Sequence, residues 1–172
     1  MGKDIGAVVA NDMAQDFRSA MRRLATTVSV ITCVNEGERH GITATAVTSV
    51  CAEPASLLVC INNATRFYQQ LVASSTFCVN MLRTSQVDLS QAFGTRGGGL
   101  ERFGIGTWAQ NEDGVPYLVD AQANVFCTVR NVTHYGTHGI FIGEVSAVLC
   151  ADEIAPLIYQ DGRYARTAEI AA

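Results

Sequence analysis

Residues 40–62, HGITATAVTSVCAEPASLLVCIN, decide how this chain is read. The stretch runs small and hydroxylated through Thr43, Ala44, Thr45, Ala46, Val47, Thr48 and Ser49, breaks at Glu53-Pro54, and resumes as an apolar strand over 56–61. Side chains this short leave the backbone N–H and C=O groups uncovered. Backbone and hydroxyls together then offer hydrogen bonds to the edge of a flat, heteroatom-rich ring. The same residues also suit an ordinary Thr/Val-rich strand packed on a neighbour, because β-branched side chains favour strands wherever they fall. Taken alone, the stretch favours that plainer reading.

Upstream, residues 26–34 (TTVSVITCV) alternate β-branched side chains and end in Asn35-Glu36-Gly37-Glu38, a turn that returns the chain into the 40–62 stretch as a hairpin. Before them, residues 12–24 carry Met13, Phe17, Ala20, Met21 and Leu24 at helical spacing behind an Asn11 or Asp12 cap, which predicts an amphipathic opening helix. Downstream, residues 65–73 (TRFYQQLVA) predict a short helix capped by Thr65, 77–82 a strand, and 84–93 a second short helix. Six glycines crowd residues 94–106, which therefore read as a loop of the length that often carries function. From Trp108 onward the signals are a turn over 111–116, a strand over 121–129, a break near His134-Tyr135-Gly136 and a strand over 140–149, before the chain closes with PLIYQDGRYA. About seven strands with a few short peripheral helices predict a mainly β protein, an antiparallel, Greek-key-like barrel. No strand is followed by G-x-G-x-x-G, which excludes a Rossmann domain.

At 172 residues the chain fits one domain, 1–172, with 1–10 expected to be flexible. Charged residues make up 16% and apolar ones 48%, and the mean hydropathy of +0.17 is high for a monomer in water, so a homodimer that covers part of the surface is expected. A net charge of −4 with scattered Lys and Arg disfavours a nucleic-acid partner. No stretch has the length of a signal-peptide core or a membrane span, so a cytoplasmic protein is expected. Cys33, Cys51, Cys60, Cys78, Cys127 and Cys150 form no C-x-x-C pair, and most sit in apolar runs, so buried free thiols are expected rather than a disulfide set, a zinc site or a reactive nucleophile.

Two constellations stand out. Asn62-Asn63-Ala64-Thr65-Arg66 closes a strand and opens a helix, a place where amide, hydroxyl and backbone N–H groups can meet a phosphate, with a plain capped helix as the equal alternative. His138 lies between the turn Gly136-Thr137 and Gly139 at the entry to a strand, where glycines allow close approach of a ligand, although a lone loop histidine is more often simply solvated. His134, four residues earlier, belongs to no H-E-x-x-H, and no metal site is expected. G-x-S-x-G and the P-loop pattern are absent, and Glu101, Asp113 and Asp120 sit in turn-like surroundings that suit solvated charges better than paired catalytic carboxylates.

GITATAVTSV, then PASLLVCIN, FCVN, ERF, a Trp, GTH and PLIY follow one another in an order that resembles the short flavin reductases of two-component flavin monooxygenases, almost end to end. The chain is similar in particular to the reductase components of aromatic hydroxylases such as 4-hydroxyphenylacetate and chlorophenol monooxygenases. Many members carry Gly-Asp-His where this chain has Gly136-Thr137-His138, so an acidic role at that place is not expected here. The resemblance implies an FMN-binding split β-barrel and a homodimer. It implies an enzyme that reduces FAD or FMN with NADH, with NADPH left open as the donor, and passes diffusible reduced flavin to a separate oxygenase acting on an aromatic compound. It implies that residues 43–49 line the flavin ring and that Cys60, Ile61, Asn62, Thr65 and Arg66 hold the ribityl-phosphate end. Phe93, Gly94, Gly97 and Gly98 would lie along the rest of an FAD, and His138, Arg163 and Tyr164 would face the nicotinamide nucleotide. A non-catalytic flavin- or haem-binding module on the same barrel is the alternative.

Overall fold

A computed structural model describes residues 13–95 and 99–170; the segment 1–10, the Asn11 or Asp12 cap, Gly97 and Gly98 lie outside the described residues. In chain order the elements are α1 (Met13–Met21), β1 (Thr26–Thr27), β2 (Ser29–Asn35), β3 (Glu38–Ala44), β4 (Val47–Ala52), β5 (Ala55–Asn62), α2 (Arg66–Ala73), β6 (Thr76–Met81) and α3 (Val87–Gly94). A 3-10 turn (Leu100–Gly104) follows, then β7 (Trp108–Gln110), β8 (Pro116–Leu118), β9 (Ala123–Tyr135), β10 (His138–Cys150), β11 (Ile158–Gln160) and β12 (Arg163–Ala165). No described helix is long and apolar enough to cross a membrane.

Seven strands form one antiparallel sheet in the order β3-β2-β6-β9-β10-β5-β4. Its two edges, β3 and β4, are consecutive in the chain, joined by Thr45 and Ala46, and do not pair with each other. The expected barrel is therefore split, and the stretch that opened the sequence reading supplies both lips of the split. The β2–β3 hairpin forms where expected: Glu36 and Gly37 take φ of 52° and 78°, the positive pair that a two-residue turn of matching twist demands.

β2 is buried along most of its length because each of its faces meets a different core. Ile31 and Cys33 join Leu57, Val59, Ile61, Phe67, Leu71, Phe77 and Phe141 in a cluster closed by α2, whereas Val30 and the preceding Val28 join Leu82, Leu89, Phe93, Phe103, Leu118 and Leu157 in a cluster closed by α3 and the 3-10 turn. Alternating side chains of a strand point to opposite faces, so one apolar run serves both cores.

Three expectations change. The opening helix forms, but it buries no residue, and Met13, Phe17 and Met21 are exposed. Within 94–106, Leu100–Gly104 forms a 3-10 turn, where Phe103 stacks edge-on against Phe93 and Trp108 with ring centroids 5.0 Å away in each case. All six thiols are free and Cys33, Cys78 and Cys127 are buried, but Cys51 and Cys150 are exposed because they fall on outward-facing ends of β4 and β10.

Candidate functional site

At the split lies a cavity of about 550 Å³. Thr43, Ala44, Thr45 and Ala46 form one wall, Cys60, Ile61 and Asn62 of β5 another, and Ser90, Gln91 and Gly94 of α3, with Thr95 just after it, a third. The α3 residues fall at spacings of three and four, which puts them on one helical face. Thr43 Oγ1 donates to Ser90 O at 2.7 Å and so fastens the small-residue strand to α3. Thr45 O accepts Val47 N–H and Ala46 O accepts Cys60 N–H, so these two carbonyls are engaged within the chain, while the short side chains leave the space between β3, β5 and α3 unfilled.

A second cavity of about 610 Å³ continues the first, sharing Ile42, Asn62, Thr65, Gly94 and Thr95. Among the described residues, Arg39, His40, Arg66 and Arg102 line it against a single acid, Glu38, so it is basic in a chain of net charge −4. Arg39 lies over the Phe103 ring at 4.8 Å and Arg102 over Phe93 at 5.4 Å. Arg102 donates to Gly41 O at 3.2 Å, while its buried Nε has no partner among the described residues. Burial lowers the pKa of the Arg102 guanidinium; burial also lowers that of His40, with Arg66 acting in the same sense and Glu38 and the Asn35 backbone opposing. An anion in this cavity would relieve both groups.

The turn into α2 is built by its own side chains. Asn62 Oδ1 accepts Ala64 N–H at 2.9 Å, and Thr65 Oγ1 donates to Asn62 O at 2.7 Å while accepting Tyr68 N–H at 3.2 Å, which caps the helix and turns Arg66 toward the second cavity. His138, the first residue of β10, faces the first cavity directly across from Asn62; its Nδ1 lies 2.9 Å from Thr137 Oγ1. The β11–β12 hairpin closes the same cavity with Tyr159 and Tyr164, and Tyr164 Oη lies 2.9 Å from Ser90 Oγ.

The structure thus gathers Thr43, Ala44, Thr45, Ala46, Cys60, Ile61, Asn62, Thr65, Gly94, His138 and Tyr164 around the first cavity, and Arg66 and Phe93 around the second. Val47, Thr48, Ser49 and Arg163 line neither. Val47 packs on the core, Thr48 and Ser49 pair with Leu58 and Leu57 on the exposed edge strand β4, and Arg163 points away from its neighbour Tyr164 on an exposed strand. The small-residue run crosses from one sheet edge to the other, so only its first half faces the hollow. Sequence reasoning missed Ser90, Gln91, Thr95 and Tyr159 in the first cavity and Arg39, His40 and Arg102 in the second. Two signals pointed that way: the charged Glu38-Arg39-His40 run directly before the small residues, and Arg102 within the ERF motif.

Comparison with known proteins agrees with this geometry. Residues 21–168 match the model of the flavin reductase like domain. The chain is 42% identical over 154 residues to the reductase component of the FADH(2)-dependent resorcinol hydroxylase of Rhizobium sp. (strain MTP-10005), covering 88% of this chain and 86% of that protein. It is 40% identical to the FMN reductase (NADH) RutF of Variovorax paradoxus, covering 87% and 83%. Among solved structures, the NADH:FAD oxidoreductase SgcE6 of Streptomyces globisporus superposes with a TM-score of 0.87 at 28% identity, covering 96% of this chain and 99% of that one. A domain match over nearly the whole chain, relatives this close and a shared split sheet make this chain a member of the flavin reductase like family.

Proposed function

We propose that this protein oxidises NADH with FAD or FMN as the acceptor and releases the reduced flavin to a separate oxygenase component. The observation that carries the reading is the hollow at the split, walled by Thr43, Ala44, Thr45 and Ala46 and continuous with a basic second cavity, which suits a flat ring bearing an anionic tail. The relatives named as NADH-dependent FMN reductase and as NADH:FAD oxidoreductase support it, and they favour an enzyme over a non-catalytic binding module.

Flavin supplies an electron acceptor for the hydride of the nicotinamide, and the chain's contribution is placement. Thr43, Ala44, Thr45 and Ala46 bed the ring; Cys60, Ile61 and Asn62, with Thr65 and Arg66 at the start of α2, take the ribityl-phosphate end; Phe93 and Gly94 border whatever lies beyond it. His138, beside Asn62 on the adjoining strand, and Tyr164, next to Ser90 of α3, line the same cavity and receive the nicotinamide nucleotide. Most of these contacts are neutral hydroxyls, amides and backbone groups, which suits a flavin that must leave after the reaction. A cytoplasmic location suits an enzyme that draws on NADH, and residues 1–172 act as one domain. The exposed Met13, Phe17 and Met21 of α1, with exposed Val50, Val148 and Leu149, support a homodimer in which a second copy covers them.

The test is NADH absorbance in the presence of FAD or FMN. Flavin-dependent oxidation is expected; none with either flavin and either nicotinamide nucleotide sinks the proposal. His138→Ala is expected to weaken nicotinamide use more than flavin binding, checked by titrating each separately.

A further inference from the structure

Tyr68 and His134 line neither cavity, yet they join the two elements that carry the ends of the site. Tyr68 lies in the first turn of α2, the helix that brings Thr65 and Arg66 to the cavities, and its backbone N–H is held by the Thr65 cap. His134 lies on β9, four residues before His138 and on the opposite strand of the hairpin whose tip presents that histidine. Tyr68 Oη and His134 Nδ1 are 2.8 Å apart. The tyrosine ring stands edge-on to the imidazole, with centroids 6.0 Å apart, and edge-on to Phe141, with centroids 5.6 Å apart.

The backbone makes room for this contact. Gly139 pairs with His134 across the hairpin, and a Cβ at 139 would stand 2.6 Å from Tyr68 Cε2 and 3.2 Å from Phe141 Cε2. No other residue lets the ring lie there without displacing it. Beside it, Asn63 N–H donates to Thr137 O at 2.9 Å, and His138 pairs with Asn62. The β9–β10 tip therefore carries a main-chain tie at Asn63 and a side-chain tie at Tyr68. Residues 133–138 of that tip are otherwise exposed, so these ties act with the end of the β5–β10 ladder to set where the tip rests.

We propose that the Tyr68–His134 pair positions His138 at the mouth of the first cavity, so that use of the nicotinamide nucleotide depends on two residues that touch neither substrate. This rests on the role given to His138 above. Neither Tyr68 nor His134 transfers a proton or an electron in the reaction; both are positioning residues. The tie also links the hairpin to the helix that carries Thr65 and Arg66, and a single net hydrogen bond shifts such a local equilibrium by roughly three- to tenfold.

Tyr68→Phe tests the pair, because it keeps the ring over Gly139 and Phe141 and removes only the hydroxyl. KM for NADH and the dissociation constant for NAD+, the latter read by titration of the protein without flavin, are expected to rise roughly three- to tenfold. KM for flavin, kcat at saturating NADH and the melting temperature are expected to stay where they were. His134→Leu should reproduce the change, Tyr68→Phe with His134→Leu should be no worse than either alone, and His134→Gln, which keeps an acceptor for the tyrosine hydroxyl, should restore much of the loss. In a His138→Ala background, Tyr68→Phe should change NAD+ binding no further. Unchanged NADH KM and NAD+ affinity in Tyr68→Phe, an equal rise in flavin KM, or a full additional loss on top of His138→Ala would each overturn the proposal. If the unaltered protein oxidises no NADH with flavin, the function proposed above fails instead; the NAD+ titration of Tyr68→Phe still decides this one.

Discussion

Around Asn80 the chain closes its polar groups on one another, whereas at the split between β3 and β4 it leaves them facing a hollow. Asn80 is fully buried; its Nδ2 donates to Val30 O at 2.8 Å and Thr32 Oγ1 at 3.1 Å, and its Oδ1 accepts Leu118 N–H at 2.7 Å and Asn124 Nδ2 at 2.9 Å. Thr32 in turn donates to Pro116 O, and Asn124 to Leu118 O at 3.1 Å, so one amide pins β8 to β2, β6 and β9. Both regions flank β2, and both are polar. A buried network has to be satisfied from within because water cannot reach it. A binding site does the reverse and keeps groups available for a ligand that arrives later, at the cost of an unfilled space.

Asn80→Ala should break the closed side hardest. It leaves Leu118 N–H without its acceptor and takes one partner each from Val30 O, Thr32 Oγ1 and the Asn124 amide, and a loss of about 3 kcal/mol in unfolding free energy is expected from urea titration. Activity per folded molecule should survive, since none of these groups lines the cavities.

Alkaline pH probes the same closed interior more gently. Burial pushes the Cys33 and Cys127 thiols up to about 12 and holds Cys78 well above its ordinary value, with Cys127 nearby acting in the same sense. Above the ordinary thiol value near 9.0 the unfolded chain sheds protons that the folded chain keeps. Stability is thus full below that pH and falls as pH rises toward the folded values, by about 1 kcal/mol for each of Cys33 and Cys127 by pH 10. Denaturant midpoints measured from pH 8 to 10.5 should show the decline, and Cys33→Ala should flatten it.

Ala46→Leu should move stability least of all, by under about 0.5 kcal/mol, because Ala46 is exposed and its neighbours need not repack. Flavin use is where it should tell: a larger side chain on the wall of the first cavity is expected to raise flavin KM by about tenfold or more, as one displaced hydrogen-bonded ring edge would require. If Ala46→Leu costs stability and spares flavin, the split is core rather than site, and the contrast with Asn80 collapses.

Much of the fold was legible where local chemistry is strong. The Glu36-Gly37 turn, the Thr65 cap and the alternating run from Ser29 each specify their own conformation within a few residues, and all formed where expected. The site was legible in part for the same reason. Thr43 to Ala46 announce themselves by size, and Asn62 and Thr65 by their capping pattern. Thr48 and Ser49 look no different in sequence, yet they lie on edge strand β4, exposed and away from both cavities. Ser90 and Gln91 look like any residues of a short helix until α3 packs beside β3, and Arg102 enters the second cavity only because Phe103 anchors the 3-10 turn against Phe93 and Trp108.

The sequence by itself determined the strand-rich composition, the position of the turns, the small-residue run and, through the order of its motifs, the family. Only the tertiary structure decided that this run crosses from one edge of the sheet to the other, that half of it faces a cavity, and that His138 stands opposite Asn62 there. Turns and caps are settled by interactions between residues close in the chain. A hollow exists only between elements that meet after folding, and its shape depends on strand register and helix packing across separations of tens of residues.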